Sequence, residues 1–213
     1  MQKVNIAVVD YGMGNLRSVS KAVEHVANGK SVVITSDPEV IQHAERVVFP
    51  GQGAMPDCMR ELDARHLRSV IIDAAKNKPF LGICIGMQLL FDRSEEGNTA
   101  GLGLFKGNVK RFAEKLVDES GEKLKVPHMG WNQVYQTQKH VLWADIDETT
   151  RFYHVHSYYA APQDSAVTAG ETEYPNRFTS AIARDNIFAT QFHVEKSAQA
   201  GLQLIRNFVN WKP

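Results

Sequence analysis

From Val4 to Leu90 the chain alternates short apolar runs with stretches of helical spacing. Val4 to Val9 is apolar except for Asn5 and predicts a buried strand. Asp10-Tyr11-Gly12-Met13-Gly14-Asn15 predicts a turn, and Leu16 to Val26 a helix. Val32 to Ile34 predicts a second strand. Asp37-Pro38 then opens a short helix, with Asp37 as N-cap and Pro38 as the first helical residue. Val47 to Phe49 predicts a third strand, ending in Pro50-Gly51-Gln52-Gly53. Helical spacing runs from Pro56 to Asn77, with a break near Ala64-Arg65. Phe80, Leu81 and Ile83, introduced by Pro79, predict a fourth strand, and the spacing turns helical again from Met87 to Phe91. Apolar strands separated by helices specify a mainly parallel sheet with both faces covered.

The rhythm stops after Arg93. Ser94 to Gly107 reads as glycine-rich loop, and Asn108 to Thr137 as short antiparallel strands with Glu119-Ser120-Gly121-Glu122 as a hairpin turn. Further strands are expected at Phe152 to Ala160, Ala166 to Glu171, Phe178 to Arg184 and Ile187 to Phe192, with Asp185-Asn186 turning between the last two. Ser197 is the expected cap of a closing helix, Ala198 to Trp211. No repeat, linker or low-complexity segment interrupts the pattern. The expectation is an α/β fold, a mostly parallel central sheet with an antiparallel β extension, in a single domain over residues 1–213.

Charge narrows the partners. Lys+Arg 24 balances Asp+Glu 24, so no basic surplus points to nucleic acid. The N-terminus has no signal-peptide pattern and no apolar run is long enough to span a bilayer, which predicts a cytoplasmic protein without a membrane partner. Cys58 and Cys84 are the only cysteines, too few for a disulfide framework.

With thiols so scarce, Cys84 stands out. It sits between Gly82 and Gly86 where a strand gives way to helical spacing, the position of the nucleophile in a strand-to-helix elbow. The following helix turns free N–H groups and its positive dipole end toward the sulfur, which favours the thiolate. Such a nucleophile needs a base, and the base an orienting group. His193-Val194-Glu195 offers both, and at i, i+2 in extended chain the imidazole and carboxylate project to one side. Backbone N–H groups of the Gly51-Gln52-Gly53 loop and of Ile85 are candidates for an oxyanion site. Taken singly, each piece has a plainer reading. An H-x-E is commonly polar surface, and Pro-Gly-Gln-Gly a strand-to-helix turn.

Gly82-Ile83-Cys84-Ile85-Gly86-Met87-Gln88, with Pro50-Gly51-Gln52-Gly53 before it and His193-Val194-Glu195 after it, resembles the triad-type class I glutamine amidotransferases. Asp10-Tyr11-Gly12-Met13-Gly14-Asn15-Leu16, Val126-Pro127-His128-Met129-Gly130-Trp131-Asn132 and His156-Ser157-Tyr158-Tyr159 narrow the resemblance, which runs nearly end to end, to the glutaminase subunits of imidazole glycerol phosphate synthase from histidine biosynthesis. The resemblance implies a flavodoxin-like three-layer α/β core. It implies Cys84 as nucleophile on L-glutamine, His193 as proton carrier and Glu195 as its orienter. It makes Gly51, Gln52, Gly53 and Ile85 the oxyanion loop and donors, and Gln88, His156, Ser157 and Tyr158 the glutamine-binding residues. Asn15, Met129, Trp131 and Lys196 are implied at the interface with a (β/α)₈-barrel cyclase subunit, which receives the ammonia. The resemblance further implies that the Gly51-Gln52-Gly53 loop can rest with one peptide turned away until the partner signals. One residue departs from the family pattern: Val194 stands where proline is usual. Valine also favours extended chain, so the expected change is slightly more backbone freedom at the site.

Other features carry less. His154-Val155-His156 is an H-x-H pair, but no nearby Cys, Asp or Glu completes a metal set, and no metal or other cofactor is expected. Gly12-Met13-Gly14 has the outline of a dinucleotide fingerprint, with Asp37 at the distance of its acidic residue, yet Arg17 occupies the third-glycine position, where helix packing forbids a large side chain. Cys58 reads as structural. The competing functions are the glutaminase part of another class I amidotransferase, a cysteine peptidase on this fold, and a partner-stabilising subunit with an idle triad.

Overall fold

In the computed structural model, which describes residues 4–117 and 121–213, the apolar runs become the strands of a covered sheet. The first half runs β1 (Ile6–Val9), α1 (Leu16–Val26), β2 (Val32–Thr35), α2 (Pro38–His43), β3 (Arg46–Gly51), α3 (Met55–Ala64), α4 (Arg68–Asn77) and β4 (Phe80–Cys84). β1, β3 and β4 are buried along their whole length, as strands with helices on both faces are, whereas β2 at the sheet edge is partly exposed. In α1, Val19, Ala22, Val23 and Val26 line the buried face at helical spacing. Asp37 caps α2 by accepting from Glu39 N at 2.9 Å, with Pro38 in the first turn, as expected. The stretch from Pro56 to Asn77 is two helices, and His66 in left-handed conformation (φ 55) makes the break.

The second half contains α5 (Ile85–Gln88), β5 (Phe91–Ser94), β6 (Thr99–Ala100), β7 (Phe105–Arg111), β8 (His128–Gln133), β9 (Tyr135–Gln136), β10 (Arg151–His156), β11 (Tyr158–Pro162), β12 (Thr168–Glu173), β13 (Arg177–Arg184), β14 (Ile187–Thr190) and α6 (Ala198–Asn210). The main sheet has the order β2-β1-β3-β4-β14-β13-β11-β7-β5-β6, and β12 pairs with β13 and β9. From β2 to β14 every neighbour is parallel; β13, β11 and β7 then continue it antiparallel. This is the parallel core with antiparallel extension that the sequence predicts. No described helix is long and apolar enough to cross a membrane.

Four expectations are corrected. The helix expected from Met87 to Phe91 is a single turn that ends before Phe91, which instead opens β5 and pairs with Phe105. An apolar run this short does not distinguish helix from buried strand. The expected loop Ser94 to Gly107 therefore contains β6 and the start of β7. Phe152 to Ala160 is not one strand: the chain breaks at Ser157, β10 pairs with β8 in a separate two-stranded sheet, and β11 joins the main sheet. Ser197 precedes α6 but does not cap it. Its hydroxyl donates to the His193 carbonyl oxygen at 2.6 Å and accepts from Tyr153 N at 3.0 Å, tying the end of the chain to β10. Of the expected hairpin turn, Glu119 and Ser120 lie outside the described residues; Val117 and Lys123 on either side form an antiparallel bridge.

Candidate active site

Cys84 ends β4 with φ 56 and ψ −112, a strained conformation for a residue bearing a Cβ. The neighbouring glycines make the turn possible. A Cβ on Gly86 would strike the carbonyl of Phe49, and one on Gly82 would crowd Ala189. The turn that follows has four residues, so the helix dipole expected from the sequence shrinks to the free peptide N–H groups of one turn.

β14 lies parallel beside β4, with Thr190 opposite Ile83, so the chain leaving β14 arrives at Cys84. Thr190 Oγ1 donates to the Phe192 carbonyl oxygen at 2.9 Å and His193 N to the Tyr153 carbonyl oxygen at 2.9 Å, which fixes the approach. His193 Nδ1 meets Glu195 Oε1 at 2.9 Å, and the Glu195 side chain is wholly buried. The route to this contact differs from the expected one. Val194–Lys196 is a turn of 3₁₀ helix rather than extended chain, and it folds the carboxylate back onto the imidazole. Burial, the largest single influence on His193, favours its neutral form. The Cys84 sulfur and then Glu195 outweigh it and raise the imidazole to about 10. The geometry is that of a sulfur–imidazole–carboxylate row.

A cavity of about 310 Å³ opens over this row. Cys84, Ile85, Gln52, Gly53, Gln88, His156, Ser157, Tyr158, His193 and Lys196 all line it, so most of the residues singled out in the sequence converge. Glu195 stands behind His193. Gly51 ends β3 in register with Cys84, packed so closely that a Cβ would meet the Tyr11 hydroxyl, Ile85 and Gly86 N. Gly53 takes φ +104. The Cys58 thiol, which burial pushes up to about 11, is 3.7 Å from the Gln52 carbonyl oxygen and donates to it, turning that carbonyl toward the core.

Two lining or supporting residues were missed by sequence reasoning. Glu96 brings a carboxylate to the cavity and accepts from Met55 N at 2.7 Å; it lay in the supposed loop with no spacing to mark it. Gln191 is buried against Cys84 and Gln88, and only its place two residues before His193 could have drawn notice.

The model of the glutamine amidotransferase class-I family matches residues 7–211. The chain belongs to that family. Among its class-I relatives, imidazole glycerol phosphate synthase subunit HisH of Dechloromonas aromatica is 65% identical over 209 residues, covering 98% of this chain and 97% of that protein. The HisH subunit of Aromatoleum aromaticum is 62% identical over 210 residues, 98% and 99% of the two chains. Among solved structures, a putative GMP synthase protein from Thermoplasma acidophilum shares the fold at a TM-score of 0.69 and 18% identity, over 98% of this chain and 94% of that one. A crystal structure of a glutamine amidotransferase gives a TM-score of 0.70 at 13% identity, over 95% and 96%.

On this amidotransferase framework, β10 lines the cavity through Val155 and His156, and β8, paired beside it, reaches the surface. Met129 and Trp131 are 62% and 47% exposed, high values for large apolar residues. Trp131 faces Tyr153 across the strands with ring centroids 6.2 Å apart, and Lys196 Nζ lies 5.8 Å from the Tyr153 ring centroid. Asn15 precedes α1, next to Gly14, which packs on Gly51. No contact in the structure joins it to Trp131 among the described residues.

The H-x-H pair has a third member that the sequence did not reveal. His128, His154 and His156 are buried with candidate ligand nitrogens within 4.8 Å of one another. Their hydrogen bonds fit neutral rings without a metal. His156 Nδ1 donates to the Tyr158 carbonyl oxygen at 2.8 Å, so the single lone pair of its Nε2 is shared between His128 Nδ1 at 3.3 Å and His154 Nδ1 at 3.2 Å. His128 Nε2 then accepts from Asn132 Nδ2 at 3.2 Å. Binding a metal would move the His128 proton to Nε2, against that amide donor. Burial pushes His128 down to about 4 and His156 to about 3, and holds His154 well below the ordinary histidine value.

Proposed function

We propose that this chain is the glutaminase subunit of an imidazole glycerol phosphate synthase, working through Cys84, His193 and Glu195 as a single domain of residues 1–213 in the cytoplasm. The observation that carries the reading is the row of Cys84, His193 and Glu195 at the base of a cavity of the size that takes one small substrate. The Cys84 thiolate attacks the side-chain carbonyl carbon of L-glutamine. Backbone N–H groups of Ile85 and the Gly51-Gln52-Gly53 loop receive the oxyanion. His193 passes its proton to the departing nitrogen, ammonia leaves, and a γ-glutamyl thioester remains on Cys84. His193 then takes a proton from water, whose oxygen attacks the thioester and releases glutamate and the thiolate. Glu195 holds the imidazole orientation throughout, and no step uses a cofactor. Gln88, His156, Ser157 and Tyr158 frame the amino-acid end of the substrate, with Glu96 as a further carboxylate for its ammonium group.

Free ammonia in neutral water is mostly protonated and no longer nucleophilic, so it has to pass directly to its acceptor. The partner is the (β/α)₈-barrel cyclase subunit, docked over the cavity on the exposed Met129 and Trp131 face, with Lys196 and Asn15 at its rim. There ammonia enters the synthesis of imidazole glycerol phosphate and aminoimidazole carboxamide ribotide. In the assembled enzyme, Cys84→Ala abolishes synthesis from glutamine and leaves synthesis from added ammonium salt intact, measured as product formed under each nitrogen source. Unchanged glutamine-dependent synthesis in Cys84→Ala would sink the reading and favour a subunit that only stabilises its partner.

A further inference from the structure

Gln191 lies one residue past β14 and two before His193, with no exposed surface. Its amide lies between the candidate nucleophile and Gln88. Nε2 is 3.8 Å from Cys84 Sγ, and Oε1 accepts from Gln88 Nε2 at 2.9 Å. The surrounding donors and acceptors fix both amide orientations. Gln88 Nε2 also donates to the Tyr158 carbonyl oxygen at 3.0 Å. A flipped Gln88 would set its oxygen against that carbonyl and against Gln191 Oε1. With Gln88 so held, Gln191 presents Oε1 to it, and an Nε2–H is what remains to face the sulfur. The Gln191 backbone is anchored as well, its N donating to the Ser180 carbonyl oxygen at 2.8 Å.

We propose that Gln191 is a positioning residue of the glutaminase site, its buried amide donating to the Cys84 thiolate and tying the nucleophile to Gln88. This rests on the reading of Cys84 as nucleophile. A donor to sulfur strengthens as the sulfur gains charge, so it favours thiolate over thiol before attack. The same N–H stabilises the thiolate when water cleaves the thioester and sulfur departs. Because the other end of the amide accepts from Gln88, the sulfur and a wall of the glutamine pocket are held in register by one rigid group.

Two variants in the full complex with the cyclase partner test this. Gln191→Met keeps the length and removes the donor. Gln191→Glu keeps the shape and replaces the donor with a carboxylate oxygen. Retained synthesis from ammonium salt reports that fold and assembly are intact; where Gln191→Met loses it, the isosteric Gln191→Glu carries the test. The readouts are glutamine-dependent kcat and the pH profile of Cys84 alkylation by iodoacetamide. For Gln191→Met the expected kcat is lower by about tenfold, and the alkylation profile moves about one pH unit toward alkaline, the same tenfold expressed as thiolate fraction. For Gln191→Glu the profile moves further, because a carboxylate repels a thiolate. Alkylation profiles that superimpose on the unmodified enzyme, with Cys84→Ala inactive on glutamine, overturn the proposal alone even where kcat falls. Glutamine-dependent synthesis that survives Cys84→Ala overturns the underlying reading and the proposal with it.

Discussion

Opposed influences act on the His193 imidazole. Burial favours the neutral ring more than any other single influence, yet the Cys84 sulfur and the Glu195 carboxylate together hold it protonated, up to about 10. Removing the sulfur leaves burial opposed by Glu195 alone. Cys84→Ala is therefore expected to bring the His193 titration down from about 10 toward or below the ordinary histidine range, followed by NMR of the imidazole nitrogens. A titration that stays put in Cys84→Ala would show that the sulfur does not hold the proton.

At the scale of elements, the alternation of strands and helices up to Cys84 was legible because continuous apolar strands, an Asp-Pro helix start and a glycine-flanked elbow each have a local cause. The second half was less so. Phe91 and the Phe152 to Ala160 stretch depend on which neighbour a strand finds, and Ser157 switches the chain between two sheets without a sequence signal for it. Cys84, His193 and the cavity wall were legible from motifs. The places of Glu96 and Gln191 at the site, and of His128 beside the other two histidines, were not, because they arise from long-range packing. The His193–Glu195 contact was expected for the wrong geometric reason, and that bears on Val194. It opens a 3₁₀ turn, where a missing N–H costs little, and His193 before it is extended (φ −87, ψ 100), the conformation a following proline requires. Val194→Pro is thus expected to keep glutaminase activity within about twofold and to stabilise the chain by about 0.4–1 kcal/mol through the unfolded state. Denaturant melts alongside steady-state rates check it. A strong loss of activity would show that the turn needs the freedom that valine allows.

Across the whole molecule, the buried histidines are expected to contribute to the response to acid. His128, His154 and His156 join the two-stranded sheet to the aromatic cluster around Phe112 and Phe178, and burial keeps all three neutral in the folded state. Their unfolded forms take up protons near pH 6.5, so the unfolded state binds more protons from there down to the depressed folded values of about 4 for His128 and about 3 for His156. Stability is therefore fully present above about pH 6.5 and is lost as pH falls through that window. His193 does not offset this, since it is protonated in both states below 6.5. For a folded value near 4 the loss from pH 7 to pH 5 is on the order of 2 kcal/mol per histidine, or about 4–8 °C in Tm for a chain of this size. His154 offers a selective test. Its Nε2 is buried without a partner, and its ring lies 5.7 Å from Phe192 and 6.2 Å from Phe178, so an apolar ring suits the site. His154→Phe is expected to leave Tm at pH 7 unchanged or higher and to make its fall toward pH 5 shallower by a share of that amount. Thermal melts of both chains at matched pH decide it, and parallel curves would mean that acid lability arises elsewhere.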